Sequence, residues 1–478
     1  MINRELVFLI LGRLFQIIIL FSTMRLITFH LSPEEFGKYY LLMGLCTFFG
    51  YFFINPIGQF LNRKTHIWYK SGVLGGRLFQ VSLYFLIASI FSILIIYFME
   101  LGGWLEGVSL LWVLILIPLF IYFNSLNQTT IPLLNMLGFK GWFVILTNLT
   151  LAFSLILSLT LVVTNNASHL SWFSGQLMGI IAIFLYSLFI LKKKLNLDFK
   201  FSFYNIFTKQ KMVSIFCFVF PLAIGILFLW MQTQSYRLII NKFLGAEFLG
   251  LFGVGVAISV AISTSFESII MQMIQPKLYQ KMENDSDFGN YFSFSLNAII
   301  PIYLAMAFFV TFFSYQISNI LVDQKYQAAY VYLIAGIWFE FFRIFNNYLS
   351  MIAHKFNQTK KLILPYFLGG LTMVSVLIFT SLHENYETYL PLAYVLGGGV
   401  GLIAMYFSMK KLLHIDLKIK YLLCPVLLLP IFSISLLLPQ SNFIVTSVLV
   451  LSVFGVLYLL SIYYFMKFYL KVELDGIQ

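Results

Sequence analysis

The chain has 478 residues, of which 60% are hydrophobic and only 10% are charged. A soluble domain is about one quarter charged, so a chain this apolar could not cover itself with polar surface, and a soluble fold is excluded. The apolar residues come in runs of roughly twenty, the length that a helix needs to cross about 30 Å of hydrocarbon. Short alternating barrel strands are not seen, so the composition predicts an all-α polytopic membrane protein.

We predict about fourteen membrane-spanning helices. In chain order they cover residues 6–29, 37–62, 75–99, 108–134, 141–163, 169–191, 211–240, 247–274, 290–313, 326–353, 361–381, 388–409, 421–438 and 443–468. The first run is too long for the core of a signal peptide and lacks a small-residue cleavage site, so we expect it to be retained as the first span. Residues 439–442 form the only break between the last two spans.

The net charge of +12 is a signal of topology, because the Lys and Arg residues lie mostly in short loops between apolar runs. With the N-terminus in the cytoplasm, 23 basic residues fall in inner loops and three, namely Lys38, Lys242 and Lys325, fall in outer loops. Acidic residues divide evenly between the two sides. The bias predicts that both termini are cytoplasmic, and it does not indicate a nucleic-acid partner.

The predicted loops are short. The largest inner connection covers residues 192–211 and the largest outer one residues 314–325, which leaves no room for an extracytoplasmic catalytic domain. No phosphate-binding glycine loop of the P-loop type occurs, and the histidines and three cysteines lack metal-ligand spacing. We therefore predict no enzyme activity, no metal site and no cofactor. Any active transport would draw on an ion gradient, with H⁺ or Na⁺ as the candidate ion, or on removal of the product.

A repeat relates two parts of the chain that lie six spans apart. The segment MRLITFHLSPEEFGKYYLLMGL begins at Met24, and YRLIINKFLGAEFLGLFGVGVA begins at Tyr236. Arg-Leu-Ile and Glu-Phe recur at the same offset, followed by a glycine in each copy. Because six is even, the repeats are predicted to be related by an axis along the membrane normal. This predicts an N-lobe of residues 1–200 (spans 1–6), a C-lobe of residues 201–411 (spans 7–12), and spans 13 and 14 in residues 412–478.

The first copy of the repeat, from Arg25 through Leu-Ser-Pro-Glu-Glu-Phe-Gly to Gly58 and Arg63, resembles the first two helices of polysaccharide flippases. Those proteins belong to the multidrug/oligosaccharidyl-lipid/polysaccharide (MOP) exporter superfamily. The second copy, from Arg237 to Gly250, resembles the exit of the seventh helix in the same family. That family often has an acidic residue just before the position of Arg237, and this chain has Tyr236 there.

The resemblance implies a MOP-like, V-shaped carrier of two six-helix lobes whose central cavity opens alternately to each side of the membrane. It also implies that the cargo is an undecaprenyl-pyrophosphate-linked oligosaccharide, moved to the outer leaflet of a bacterial inner membrane for O-antigen or capsule synthesis. A monomer is the implied oligomeric state, with the polysaccharide polymerase machinery as a partner.

Ionisable residues inside membrane spans are energetically costly, so each is a candidate functional residue. Arg13 lies about 10 Å along the first span, at about 1.5 Å per residue. A buried arginine that faces a cavity could hold a pyrophosphate through two parallel hydrogen bonds. Alternatively, the Arg13 side chain could extend to the cytoplasmic headgroups.

Arg25 and Arg237 are equivalent in the repeat and lie near the outer surface. Gln234 belongs to a polar run just before Arg237, which is more compatible with a cavity than with lipid. Both arginines and Gln234 are candidate substrate-binding residues, and the alternative for the arginines is that they anchor their helices at the membrane interface.

Glu340 and Arg343 are three residues apart on the tenth span, with Asn347 on the same face. They could form a purely structural ion pair, or they could line the cavity and exchange partners when substrate or a proton binds. Glu267 on the eighth span has no local partner in the sequence. It could carry a proton, or it could pair with an arginine from another helix. We predict substrate binding for Arg343 and Asn347 and ion coupling for Glu267 and Glu340.

Four other functions are compatible with the sequence. Another exporter of the same superfamily could move lipid II, a teichoic precursor or a drug, and an integral-membrane polysaccharide polymerase would be an enzyme of a different class. A drug antiporter would need acidic cavity residues, whereas the spans hold four arginines and two glutamates, which favours an anionic cargo. A polymerase would need a sizeable outer loop, and the sequence offers none.

Overall fold

The computed structural model describes residues 4–195, 209–281, 284–438, 440 and 443–475, and no strand occurs in these ranges. The helices of the first half are α1 (Arg4–His30), α2 (Pro33–Phe49), α3 (Asn55–Lys70), α4 (Leu74–Leu101), α5 (Leu110–Met136), α6 (Lys140–Thr164), α7 (His169–Leu195) and α8 (Lys209–Gln234). Those of the second half are α9 (Tyr236–Gln280), α10 (Asp285–Phe312), α11 (Ser314–Leu321), α12 (Tyr330–Lys355), α13 (Ile363–Ser381), α14 (Tyr386–Lys410), α15 (Ile419–Leu422), α16 (Leu429–Ser433) and α17 (Ile444–Asp475).

The start of α2 follows from its sequence. Ser32 caps the helix, because its hydroxyl accepts a hydrogen bond of 3.3 Å from the backbone N–H of Glu35. Pro33 occupies the first helical position, where its missing N–H leaves no bond unmade. The helix then continues through a wider π-helical turn at Gly50–Ile54 directly into α3. Pro56, the second residue of α3, cannot donate to the preceding turn, which explains why the helical register changes here.

A break inside α9 separates two of the predicted spans. Gly245 has a φ of 85° and a ψ of 172°, a conformation that glycine adopts readily and other residues avoid. The structure has 13 candidate membrane spans among the described residues, and one of them, Ala223–Met271, covers both the seventh and the eighth predicted span. The predicted all-α fold with about fourteen spans is confirmed. Of the predicted break at 439–442, residues 439, 441 and 442 lie outside the described residues, as do residues 196–208 of the predicted inner connection.

Contacts divide the chain into two units, unit 1 (Met1–Gly250) and unit 2 (Leu251–Gln478). Unit 1 contains α1–α8 and the start of α9, and unit 2 contains the rest of α9 and the helices that follow. The three-part division at residues 200 and 411, which was based on the repeat, stays a prediction.

The core of unit 1 is built where small residues let helices approach closely. Gly175 and Gly179 of α7 lie directly against the backbone of α6 at Ser158 and Ser154. The Ser158 hydroxyl donates a 2.8 Å hydrogen bond to the carbonyl of Trp172. Such small-residue contacts are the usual means by which helices associate inside a membrane. Buried leucines and isoleucines from α3, α4, α5, α6 and α7 fill the space at one end of this bundle.

The two copies of the repeat contact each other inside unit 1. A Cβ on Gly37 of α2 would overlap the carbonyl oxygen of Ala246, and a Cβ on Gly250 of α9 would overlap that of Pro33. The contact is reciprocal, as two segments related by a two-fold axis would make it. The glycine that follows Glu-Phe in each copy therefore has a packing role.

In unit 2, α9 crosses α12 at another small-residue contact. Gly336 lies against Ser259, whose hydroxyl donates a 3.0 Å hydrogen bond to the carbonyl of Leu333. Gly255 packs on the start of α12 in the same way, next to Ala329. The C-terminal helix α17 is peripheral by comparison, since only 11% of the residues in its most apolar stretch are buried.

Polar contacts join helix ends that the charge pattern assigned to the same side. In unit 1, the Lys242 ammonium donates 2.9 Å hydrogen bonds to the carbonyls of Gly102 and Gly103. All three residues belong to predicted outer loops. In unit 2, Lys355 and Asp285, both predicted on the inner side, form a 2.9 Å ion pair. These helix ends therefore share faces as the predicted topology requires.

Candidate functional site

A cluster of three charged side chains lies between α9 and α12 of unit 2. Positions 255, 259, 263 and 267 follow one another at four-residue intervals, so Glu267 lies on the face of α9 that packs against α12. Glu340 and Arg343 lie one and two turns beyond Gly336 on the facing side of α12. The small-residue crossing thus brings Glu267 next to Arg343. Glu267 thus pairs with an arginine of another helix, and its role in ion coupling stays a prediction.

Arg343 bridges the two carboxylates. Its Nη2 atom lies 2.9 Å from Oε2 of Glu267 and 2.7 Å from Oε2 of Glu340, and its Nε atom donates a 2.8 Å hydrogen bond to the same oxygen of Glu340. The Glu340 side chain is only 3% exposed, whereas those of Arg343 and Glu267 are 18% and 19% exposed. One guanidinium therefore serves two carboxylates in a largely buried place, and the ionised cluster has a net charge of −1.

Two hydroxyl groups beside this cluster have no hydrogen-bond partner among the described residues. Tyr303 of α10 is fully buried, lies close enough to Glu267 and Arg343 to interact electrostatically with both, and its hydroxyl has no hydrogen-bond partner in the described parts of the chain. The hydroxyl of Ser263, one turn before Glu267, is likewise buried and without a partner there. Buried polar atoms usually have hydrogen-bond partners, so these two hydroxyls could form further hydrogen bonds or bind a cation beside the cluster.

Unit 1 contains a cavity of a different character. Its volume is about 510 Å³, and it lies among α1, α2, α5, α6 and α7. Its polar lining consists of five amides and three hydroxyls, from Gln16, Asn124, Asn127, Gln128, Gln176, Thr147, Thr150 and Ser154. The remaining lining is apolar and includes Phe120 and Phe143. No lining residue is charged.

Arg13 lies next to this neutral polar cavity. Its Nη1 atom donates a 2.8 Å hydrogen bond to Oε1 of Gln16, which is one of the lining residues. Arg13 is half-buried and is not itself part of the lining. The substrate-binding role stays a prediction.

Arg237 lies on an aromatic ring in unit 1. Its guanidinium is 3.9 Å from the centre of the Tyr40 ring, and the hydroxyls of Tyr40 and Tyr236 are 2.7 Å apart. Gly44, one turn beyond Tyr40 on α2, leaves room for the aliphatic part of the arginine. The hydroxyl of Tyr236 thus holds the Tyr40 ring on which Arg237 lies.

The other three candidates occupy separate places. Arg25 of α1 is half-buried, and Oε1 of Gln234, the last residue of α8, is buried without a hydrogen-bond partner among the described residues. Asn347 is half-buried one turn beyond Arg343. Of the eight predicted site residues, the structure brings Glu267, Glu340 and Arg343 into direct contact.

Two features escaped the sequence-based interpretation. The polar lining of the cavity was missed, although Asn124, Asn127 and Gln128 interrupt an apolar span and could have signalled it.

An ion cluster at the predicted outer end was also missed. There the Glu35 carboxylate accepts hydrogen bonds from the backbone N–H of His169 at 2.8 Å and from the His169 ring at 2.6 Å. No group of three His, Cys, Asp or Glu side chains suited to a metal occurs within the described ranges.

Comparisons with known proteins agree with this architecture. Residues 26–331 match the protein family described as "polysaccharide biosynthesis protein". No curated protein matches the chain by sequence. Among solved structures, the fold is similar to one described as the lipid II flippase MurJ in an inward closed conformation. The TM-score is 0.73 and the sequence identity 17%, and 99% of each chain is covered.

A second similar structure is described as the inward-facing conformation of a multidrug resistance MATE family transporter of the MOP superfamily. Its TM-score is 0.56 at 12% identity, covering 84% of this chain and 95% of the other. A MATE structure in a straight conformation gives a TM-score of 0.51 at 12% identity. Identities this low establish the shared fold alone. Together with the family match, they confirm the resemblance noted in the sequence, and the fold is that of transporters.

Proposed function

Because the chain belongs to the polysaccharide biosynthesis protein family, we propose that it translocates an undecaprenyl-pyrophosphate-linked oligosaccharide unit across a bacterial inner membrane. The direction would be from the cytoplasmic to the outer leaflet, by alternating access, to supply O-antigen or capsule synthesis. The family match over residues 26–331 carries this proposal. A transporter fold over the whole chain supports it, because such a fold moves cargo without needing a catalytic centre. The protein would act as a monomer that delivers its cargo to the polymerase machinery, and it would not be an enzyme.

The charges of the spans fit an anionic lipid-linked cargo. The spans hold four arginines against two glutamates. Arg13 would contact the pyrophosphate from its place beside the neutral polar cavity, and Arg25, Arg237 and Gln234 would line the cargo's route through unit 1. An arginine binds phosphate oxygens through parallel hydrogen bonds, which gives both strength and orientation. Arg343 and Asn347 would serve the same purpose in unit 2.

The charged cluster in unit 2 would couple transport to an ion gradient. Its net charge of −1 is expensive inside a membrane, and one H⁺ or Na⁺ would neutralise it. The partnerless hydroxyls of Tyr303 and Ser263 could share hydrogen bonds with a protonated Glu267 or bind Na⁺ directly. Arg343 would then be free to change partners between the two carboxylates, which is how occupancy of the ion site could alter the packing of α9 on α12.

Cells that lack the protein would test the function. Lipid-linked repeat units are expected to accumulate on the cytoplasmic leaflet, and the surface polymer is expected to disappear. If repeat units still reached the outer leaflet and stayed unpolymerised, the polymerase alternative would be right. Cysteine accessibility at the chain termini and at Lys38 would test the location, since we place both termini in the cytoplasm and Lys38 outside.

Lipid II is the second candidate cargo, because the fold is similar over 99% of both chains to a lipid II flippase. Both cargoes combine a sugar, a pyrophosphate and a long lipid, so the charge pattern serves either. The family description favours the polysaccharide unit. Analysis of the lipids that accumulate on depletion distinguishes the two, because a lipid II flippase would accumulate peptide-bearing lipid and its loss would lyse the cells.

A further inference from the structure

We propose that the neutral polar cavity of unit 1 is a binding site for an uncharged saccharide. Under the proposed function, on which this inference rests, the saccharide would be part of the glycan of the lipid-linked cargo. The binding chemistry, however, follows from the cavity itself. Three features of the cavity support this assignment: the open hydrogen-bonding capacity of its amides, the neutrality of its lining, and its mixture of amides with apolar groups.

The lining amides and hydroxyls satisfy one another only in part. Gln128 donates to Asn124 at 3.3 Å and Asn127 donates to Thr150 at 3.4 Å, both at the long end of the hydrogen-bond range. Gln176 accepts a 3.0 Å bond from Tyr39, and its amide nitrogen has no acceptor in the described part of the chain. The three hydroxyls already donate to helix carbonyls, so the open capacity lies in the amides, each of which offers two donors and a carbonyl with two lone pairs. Polar groups between membrane-spanning helices need such partners, and a polar ligand would supply them.

The type of polar group points to sugar hydroxyls. A hydroxyl both donates and accepts, and so does a carboxamide, so the two pair in either direction. A pyrophosphate only accepts hydrogen bonds and binds best where cationic donors balance its negative charge, whereas a drug cation binds best beside a carboxylate. The cavity lining provides neither charge. Arg13 lies just outside it, hydrogen-bonded to Gln16, where it could meet the phosphate of a ligand whose sugar occupies the cavity.

The apolar part of the lining fits the other surface of a sugar ring. Phe143 and Pro132 are partly exposed in the lining, and the C–H face of a pyranose packs on such apolar groups while its hydroxyls point to the amides. A volume of about 510 Å³ is within the range of cavities that hold small ligands, about 300–1,000 Å³. Gln128 is exposed, so the cavity is open at this side of α5.

A matched pair of double variants tests the inference. Asn124→Ala/Gln128→Ala removes an amide pair that lines the cavity. Asn55→Ala/Gln59→Ala removes the control pair on α3, which has the same four-residue spacing and the same type of hydrogen bond, at 3.1 Å, and does not line the cavity. Thr147→Val is a second cavity variant. It keeps the shape of the side chain and removes only its hydroxyl, so it tests the site even if the double variant misfolds.

Binding to the full-length protein in nanodiscs would be measured with three probes. These are the lipid-linked repeat unit isolated from cells lacking the protein, undecaprenyl pyrophosphate without sugar, and the oligosaccharide released from the first probe by mild acid. We expect the cavity double variant to bind the lipid-linked unit and the free oligosaccharide about tenfold more weakly or worse, a loss of ~1.4 kcal/mol or more. Binding of the sugarless lipid is expected to be unchanged, and Thr147→Val is expected to show a smaller loss of the same kind.

Failure of the cavity and failure of the proposed function would look different. Wild-type affinity of the cavity variants for the lipid-linked unit would overturn the saccharide site while leaving the flippase intact, and so would an equal loss for the sugarless lipid. If the wild-type protein bound neither lipid, the proposed function would be wrong. The free oligosaccharide would then test the saccharide site alone. Binding to the wild-type protein that is lost in the cavity variants would support the site, and no binding to the wild-type protein would refute it.

Discussion

Replacing Arg343 by alanine leaves Glu267 and Glu340 facing each other without their shared cation. Removing one partner of a buried ion pair typically costs about 3–5 kcal/mol, because the remaining charge stays buried. Glu267 is 19% exposed and can be partly hydrated, so we expect the lower end, about 3 kcal/mol. For a unit of this size, 1 kcal/mol corresponds to about 2–4 °C in Tm. Arg343→Ala should therefore lower the Tm by roughly 6–12 °C.

The net charge of the cluster predicts that substitutions of its three residues change the Tm by different amounts or in opposite directions. Glu267→Gln removes one of the two negative charges and leaves a neutral Glu340–Arg343 pair, so its Tm should equal or exceed that of the wild type. Adding Glu267→Gln to Arg343→Ala should recover part of the loss, because one carboxylate is less costly to bury than two. Thermal unfolding of the purified variants, followed by tryptophan fluorescence at one scan rate, measures all three differences. A Tm for Arg343→Ala within about 1 °C of the wild type would refute the reasoning, as would a double variant no more stable than Arg343→Ala.

Three further predictions concern unit 1 and use the same unfolding assay. Gly37→Ala should destabilise the protein by about 1–3 kcal/mol, because the added Cβ overlaps the backbone of α9, whereas Gly58→Ala, which meets open space, should be neutral or stabilising; equal effects would argue against the glycine crossing. Arg237→Ala should cost about 1–2 kcal/mol through loss of its contact with the tyrosine ring, and a neutral result would mean that the contact contributes nothing. Glu35→Ala should cost about 1.5–3 kcal/mol, because it breaks two charge-assisted bonds to the start of α7, while the more exposed Glu34→Ala should cost less than 1 kcal/mol; the reverse order would contradict the network.

The features that the sequence predicted well depend on local patterns. Span length and hydrophobicity act within one helix, so the helical membrane fold could be predicted. The three-residue spacing of Glu340 and Arg343 also lies within one helix, and the predicted pair is present. The partner of Glu267 could not be chosen in this way, because it depends on how α9 crosses α12. That crossing is set by Gly255, Ser259 and Gly336, which in the sequence look like ordinary small residues.

The neutral polar cavity could not be predicted from the sequence for a different reason. Charged residues stand out in an apolar span, whereas Asn124, Thr147 and Gln176 are compatible with a helix contact as well as with a cavity. Only packing reveals that residues from α1, α5, α6 and α7 face the same space. The span count differs by one at Gly245, because the structure joins the seventh and eighth predicted spans into one candidate span, Ala223–Met271, across that break.

The most direct test of the proposed flippase uses the purified chain in proteoliposomes that contain the lipid-linked repeat unit in both leaflets. Membrane-impermeant periodate oxidises only the sugars that face outward, so protein-free vesicles keep their lumenal sugars protected. With the protein present, we predict that the protected fraction disappears during incubation, because lumenal units are carried to the exposed leaflet. A protected fraction as large and as lasting as in protein-free vesicles, under each imposed H⁺ or Na⁺ gradient, would contradict the proposal.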